Sequence, residues 1–112
     1  MSKIRVFIKH PGEDPFMTPI ENDVETLKKY AGDVIARITL CSDFAVICNG
    51  NGAFGNEKFN FSIGNHQFFG TVIFVGLKDD EVTHVPCAYS KFREMFKNLY
   101  SKERKVDNAN RN

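Results

Sequence analysis

The 112-residue chain has no tryptophan, almost no net charge and only three cysteines. Its longest apolar runs, such as Val72–Val75, fall far short of the roughly 18 residues of a membrane-spanning helix. A net charge of +1 gives the whole molecule no drive towards nucleic acid or acidic lipid. An odd number of cysteines, with no close pair, indicates free thiols. We therefore expect a cytoplasmic protein with neither a membrane nor a nucleic-acid partner.

What the chain does have is enough apolar sequence for one core. Leu, Ile, Val and Phe make up about 29% of the residues, above the roughly 20% below which disorder is expected. The length suits one domain. We expect residues 1–100 to form it and residues 101–112 to be a polar, basic and disordered tail. No aromatic platform is interleaved with the tail's charges, so a solvated chain end explains them better than phosphate contacts do.

Strands are predicted wherever apolar and polar residues alternate with a period of two. Alternating segments are 4–9, 34–40 and 59–63, and 16–20 and 44–49 are predicted as further strands. Pro19 cannot donate to a neighbouring strand, which predicts an edge position for the segment 16–20. Ser42–Asp43 suits a tight hairpin, and Asp79–Glu81 reads as an acidic turn. Thr71–Val75 is apolar on both faces, which predicts a central strand covered by a helix.

Two helices are predicted from apolar residues that recur every three to four positions. The first runs over about two turns to Gly32 and has an apolar face that includes Val24. Asn22 or Asp23 caps it, and Glu25 is placed to complete a capping box with Asn22. The second has Pro86 in its first turn and an apolar stripe made of Tyr89, Phe92, Met95, Phe96, Leu99 and Tyr100.

Together these elements predict an α+β fold: one mainly antiparallel sheet of five or six strands with two helices packed on it. Because the central strand and the last helix carry the largest apolar residues, we predict that Phe74 and Phe96 are mutually buried.

A G-x-G-x-x-G sequence, with glycines at Gly50, Gly52 and Gly55, follows the predicted strand 44–49 directly. Such a loop holds a phosphate only if a helix begins beyond it. Here the next segment is strand-like, which favours a hairpin or bulged loop instead. Binding of a nucleotide or another small ligand by Gly50–Gly55, with nearby Asn side chains and His66, is the alternative function.

Cysteine and histidine spacings do not predict a metal site, because no C-x-x-C pair is present. We expect neither a metal nor a cofactor, and we expect Cys48 to be a small core residue. Cys87 is predicted in the first turn of the last helix, where the helix dipole would stabilise its thiolate, with His84 as a base. No third group orients this pair, so a thiol enzyme is a weak alternative to a structural cysteine.

Two aromatic segments break the periodic pattern, whereas nine of the eleven Phe residues are expected on core faces. Phe54 lies among small residues inside the glycine loop, and Phe68–Phe69 place adjacent rings on opposite faces of a strand. We predict that Phe54 and one of this pair form an exposed patch beside His66, the alternative being that Phe54 plugs the open end of the core. The candidate ligand- or partner-binding residues are therefore Gly50, Gly52, Phe54, Gly55, His66, Phe68 and Phe69.

Several segments, taken in order, resemble one family. They are Pro11-Gly12-x-x-Pro15, Asn22–Leu27 leading into Ala31–Ile35, Val46–Asn49 before the glycine loop, Gly70–Gly76, and an aromatic helix to Phe96. Over roughly residues 3–97 the chain is similar to short proteins classed as a domain of unknown function, found in Gram-positive bacteria, their phages and conjugative elements. The resemblance implies no activity, cofactor or catalytic residue.

No catalytic set is assembled by these patterns. Together with the genomic setting that the resemblance implies, this predicts a non-catalytic binding protein, an accessory factor of a phage or plasmid. We expect its partner to be a host or phage protein, or a second copy of the chain.

Overall fold

The computed structural model describes residues 3–100 of the chain, so the predicted basic tail, 101–112, lies outside the described residues. The strands are β1 (Lys3–Lys9), β2 (Phe16–Glu21), β3 (Ile35–Cys41), β4 (Phe44–Asn49), β5 (Phe59–Ile63), β6 (His66–Phe69), β7 (Val72–Lys78) and β8 (Glu81–Thr83). The helices are α1 (Val24–Ala31) and α2 (Tyr89–Met95), and 3₁₀ turns lie at Gly52–Gly55 and Lys97–Leu99.

The predicted α+β architecture is confirmed. The main sheet has the order β2-β1-β7-β4-β3, and β8 pairs with the second half of β7. Strands β5 and β6 form a separate two-stranded sheet. Each of these neighbouring strand pairs is antiparallel.

Strand β7 is the centre of the sheet, as its two apolar faces predicted. It pairs with β1 on one side and β4 on the other, and its residues are buried from Val72 to Leu77. Pro19 lies in β2 at the sheet edge, and the β3–β4 hairpin turns at Ser42–Asp43, both as predicted. The acidic turn is also present at Asp79 and Asp80, which have positive φ angles, but Glu81 already belongs to β8.

The two helices cover opposite faces of the sheet. Helix α1 packs on the face formed by alternate residues of β1, β4 and β7, and buries Leu27 and Ala31 there. Helix α2 packs on the other face together with the β5–β6 hairpin, which contributes Phe61 and Phe68. Cys48 is buried in this second cluster, which confirms its prediction as a core residue.

The start of α1 agrees with one of the two predicted caps. Asp23 is the N-cap, and its carboxylate accepts a hydrogen bond of 2.8 Å from the backbone amide of Thr26. Glu25 is therefore the second helical residue and does not complete a capping box with Asn22. Val24, predicted on the apolar face, is exposed.

The predicted second helix is shorter at both ends. The chain is still extended at Val85, which is buried and donates its amide to Arg5 of β1 at 2.9 Å. Pro86 therefore precedes the helix, which begins only at Tyr89. It stops at Met95 because Phe96 leaves the helical conformation, with φ −122° and ψ 37°.

The apolar stripe of this segment is only partly buried. Its buried members are Phe92, Leu99 and Tyr100, whereas Tyr89 and Met95 are exposed. Phe74 and Phe96 do touch, with ring centroids 5.2 Å apart. The predicted mutual burial holds for Phe74 alone, because Phe96 is half-buried.

Candidate functional site

The glycine loop forms a tight 3₁₀ turn and not the predicted hairpin, because β4 and β5 belong to different sheets. The amide of Gly50 donates to the carbonyl of Val34 at 2.6 Å. A Cβ on Gly50 would lie 2.9 Å from the Val34 side chain and 3.3 Å from the Val34 carbonyl oxygen, so a larger residue would force Val34 to shift. The Asn51 amide donates to the side chain of Asn49 at 2.8 Å, and the Phe54 amide to the Asn51 carbonyl at 3.1 Å.

These contacts decide what the loop can bind. Three of its amides donate within the protein, and β5, not a helix, is the next element. A phosphate cradle needs several amides pointing at the ligand, with a helix N-terminus behind them. The loop therefore lacks the geometry on which the nucleotide alternative depends.

Phe54 stands out from this turn into solvent. Its side chain is 96% exposed, so the alternative that it plugs the core is wrong. Gly52 begins the turn with a positive φ of 55°. Gly55 ends it, and a Cβ on Gly55 would lie 3.2 Å from the side chains of Asn49 and Asn51. The turn presents the ring on backbone that is held by hydrogen bonds to β4 and to the segment before β3.

The β5–β6 hairpin has two aromatic faces. Phe61 and Phe68 pair across the strands and are buried under the main sheet, with ring centroids 4.9 Å apart. Phe59 and Phe69 pair next to them and stack edge-to-face at 5.6 Å. Phe59 is 52% exposed and Phe69 is half-buried.

A β-bulge separates these faces. Between the Phe59–Phe69 and Phe61–Phe68 pairs, β5 has one extra residue, Asn60, and β6 has none. An extra residue reverses the side on which the preceding side chain emerges. Phe59 therefore points away from the face that holds Phe61, and the period-2 pattern that predicted a core position for Phe59 is wrong.

The 3₁₀ turn that carries Phe54 lies against β6. We call Phe54, Phe59 and Phe69 the aromatic surface. Of the predicted pair, Phe69 is the outward residue, whereas Phe68 is fully buried and is corrected to a core residue. His66 is exposed at the end of the hairpin, with its ring 4.6 Å from that of Phe68, on the inner side of the strand and not with Phe69.

The position of Cys87 differs from the one that a reactive thiol required. Ala88 is the N-cap of α2, so Cys87 precedes the helix instead of lying in its first turn. Burial raises the pKa of the Cys87 thiol, which outweighs the opposing effect of Lys91. The Nδ1 atom of His84 accepts a hydrogen bond of 2.9 Å from the Arg5 amide, so that nitrogen is not free to take a proton from the thiol.

Within residues 3–100, no cluster of three or more His, Cys, Asp or Glu side chains could hold a metal ion. In the same residues, no helix is long and apolar enough to cross a membrane.

A family model described as a domain of unknown function, DUF3846, matches residues 4–97. The chain belongs to this family. The match covers both sheets, both helices and the aromatic surface, so the fold described above is that of the family domain. Comparisons with curated proteins and with solved structures found no match.

Two features of the structure had no counterpart in the sequence patterns. Phe59 reaches the aromatic surface through the bulge, and the only local signal is a polar residue, Asn60, inside an aromatic strand. His10 and Thr71 come together from two connections that are 61 positions apart in sequence, and no spacing rule connects them.

Proposed function

We propose that this DUF3846 domain is a non-catalytic protein-binding module that recognises its partner through the aromatic surface. The observation that carries the proposal is Phe54, an almost fully exposed phenylalanine on a turn held by hydrogen bonds. Exposed aromatic residues that are grouped and rigidly held are typical of interface hot spots. Phe59 and Phe69, on the hairpin against which this turn packs, add further apolar surface.

The size of the expected effect follows from the exposure. Burying a fully exposed phenylalanine contributes roughly 1.5–3 kcal/mol. Loss of that contact weakens a complex by about 10- to 150-fold. Phe54 makes little contact with its own domain, so Phe54→Ala removes binding while leaving the fold in place.

We propose that the partner is a protein of the bacterial host or of a phage or plasmid that it carries. This step rests on the resemblance and on the absence of an assembled catalytic set among the described residues. We place the protein in the cytoplasm because its three cysteines are free.

The test compares three tagged full-length proteins: wild type, Phe54→Ala and Phe16→Ala. Phe16 is a matched control because it is a partly exposed phenylalanine on β2, at an outer edge of the main sheet. Proteins retained from host lysate are measured by quantitative mass spectrometry, and sedimentation of the pure protein reports self-association. We expect one partner, or the self-associated form, to be lost with Phe54→Ala and kept with Phe16→Ala. A complex that survives Phe54→Ala unchanged, or no reproducible complex at all, refutes the proposal.

A further inference from the structure

A cavity of about 610 Å³ opens at one end of the sheet, and none of the three residues of the aromatic surface lines it. It lies between three connections: the β1–β2 turn with His10, Pro11 and Glu13, the segment Asn56–Lys58 that precedes β5, and Gly70–Thr71 between β6 and β7. Its volume is within the range of roughly 300–1,000 Å³ that small-molecule sites occupy.

Hydrogen bonds hold the walls of this cavity in place. The side-chain amide of Asn60 donates to the carbonyls of Lys9 and Gly70, at 2.9 and 2.7 Å, and so ties the β1–β2 turn to the β6–β7 connection. The Gly70 amide donates to the Lys58 carbonyl at 2.7 Å. The Lys9 ammonium, on a side chain that is 4% exposed, donates to the Glu13 carbonyl at 2.8 Å. A cavity whose walls are fixed before binding loses little entropy when a ligand enters.

Inside the cavity, two side chains from separate connections form a polar pair. The Nδ1 atom of His10 lies 2.7 Å from the Thr71 hydroxyl, which is a short hydrogen bond. Whichever group donates, the second ring nitrogen of His10 and the remaining lone pairs of Thr71 are left for a ligand.

Carboxylates outnumber ammonium groups among the residues that line the cavity, and the Lys9 ammonium, outside this lining, is bonded to the carbonyls of His10 and Glu13. Glu13 and Glu57 supply two carboxylates from two different connections, and Lys58 supplies the one ammonium group that lines the cavity. A Cβ on Gly70, which has φ +76°, would lie 3.1 Å from the Glu57 Oε1 atom. The Glu57 carboxylate therefore rests on Gly70, the residue next to Thr71.

We propose that this cavity binds a small polar molecule through a protonated primary amine. The carboxylates of Glu57 and Glu13 neutralise the ammonium group, and the His10–Thr71 pair hydrogen-bonds to the polar remainder of the ligand. Charge-assisted hydrogen bonds of this kind are roughly twice as strong as neutral ones. The residues of this ligand site differ from those of the aromatic surface.

The test is a titration of ¹⁵N-labelled full-length protein followed by amide chemical shifts. The amine probes are putrescine, lysine and glucosamine, and 1,4-butanediol and succinate are the neutral and anionic counterparts of putrescine. Each is added to about 20 mM, enough to saturate a site with a millimolar Kd. We expect at least one amine to give saturable shifts centred on Glu57, Gly70 and Thr71, and 1,4-butanediol and succinate to give none.

Two variants separate the site from general charge effects. Glu57→Gln should weaken the amine about tenfold, as expected for the loss of a charged hydrogen-bond partner. Glu25→Gln removes an equivalent charge from α1, on the other face of the sheet, and should leave the affinity unchanged. Phe54→Ala should also leave it unchanged, so failure of the protein-binding proposal would not affect this result. The proposal is overturned if no amine gives saturable shifts, if succinate binds as well as putrescine, or if the two glutamate variants behave alike.

Discussion

Phe92 and Phe96 lie about one helical turn apart on the same aromatic stripe, yet they differ in burial and therefore in their expected contribution to stability. Phe92 is fully buried, with its ring stacked on Phe7 at 3.8 Å between centroids and edge-on to Phe74 at 5.1 Å. Removing such a ring costs roughly 3–5 kcal/mol, because buried area is lost and a cavity remains. Phe96 is half-buried and follows the end of α2, so Phe96→Ala should cost about half as much.

Urea unfolding followed by circular dichroism measures both effects, which suits a chain without tryptophan. A domain of this size has a total stability of roughly 5–15 kcal/mol, so Phe92→Ala should lower the unfolding midpoint substantially without changing the slope. Phe16→Ala, at a partly exposed position, serves as the control and should cost less than about 1 kcal/mol. If Phe96→Ala proved as damaging as Phe92→Ala, or Phe92→Ala cost less than about 1 kcal/mol, the packing of α2 described here would be wrong.

Three further predictions follow from individual contacts. Gly76→Ala should destabilise the domain by about 3 kcal/mol or more in the same urea assay, because a Cβ there would collide with the backbone carbonyl of His84. A loss of stability below about 1 kcal/mol would contradict the close packing of Gly76 against His84. The pKa of Asp23 is held below its usual value of 3.8 by the amide that it caps, so its contribution to stability is complete above that pH and is lost as the pH falls through the lowered value. Asp23→Ala should therefore be clearly less stable than wild type at pH 6 and should differ less at pH 2, whereas a constant difference would exclude the charged cap. Burial raises the pKa of Cys87, so its alkylation rate, followed by peptide mass spectrometry, should rise only above the ordinary thiol range, and a midpoint below about pH 8 would restore the reactive-thiol hypothesis.

Elements whose structure depends on local pattern were predictable from the sequence. Alternation identified β3, two apolar faces identified β7 as central, and Pro19 identified β2 as an edge. The start of α2 was not predictable in this way. Pro86 is a good first residue for a helix, but the chain before it is held in an extended conformation by the bond between Val85 and Arg5. That bond joins residues 80 positions apart, and no local preference reports it.

The candidate sites were also not predictable from local sequence pattern, because one irregularity in strand pairing contributes to both. Asn60 is the extra residue of the β5 bulge. Its insertion turns Phe59 outward, which enlarges the aromatic surface. The same residue, freed from regular pairing, directs its side-chain amide to the carbonyls of Lys9 and Gly70 and so fixes two walls of the cavity. A period-2 pattern assumes that no residue is inserted, so it places Phe59 in the core and gives Asn60 no role. One polar residue within an aromatic strand thus contributes both to the surface that we propose for a protein partner and to the cavity that we propose for an amine.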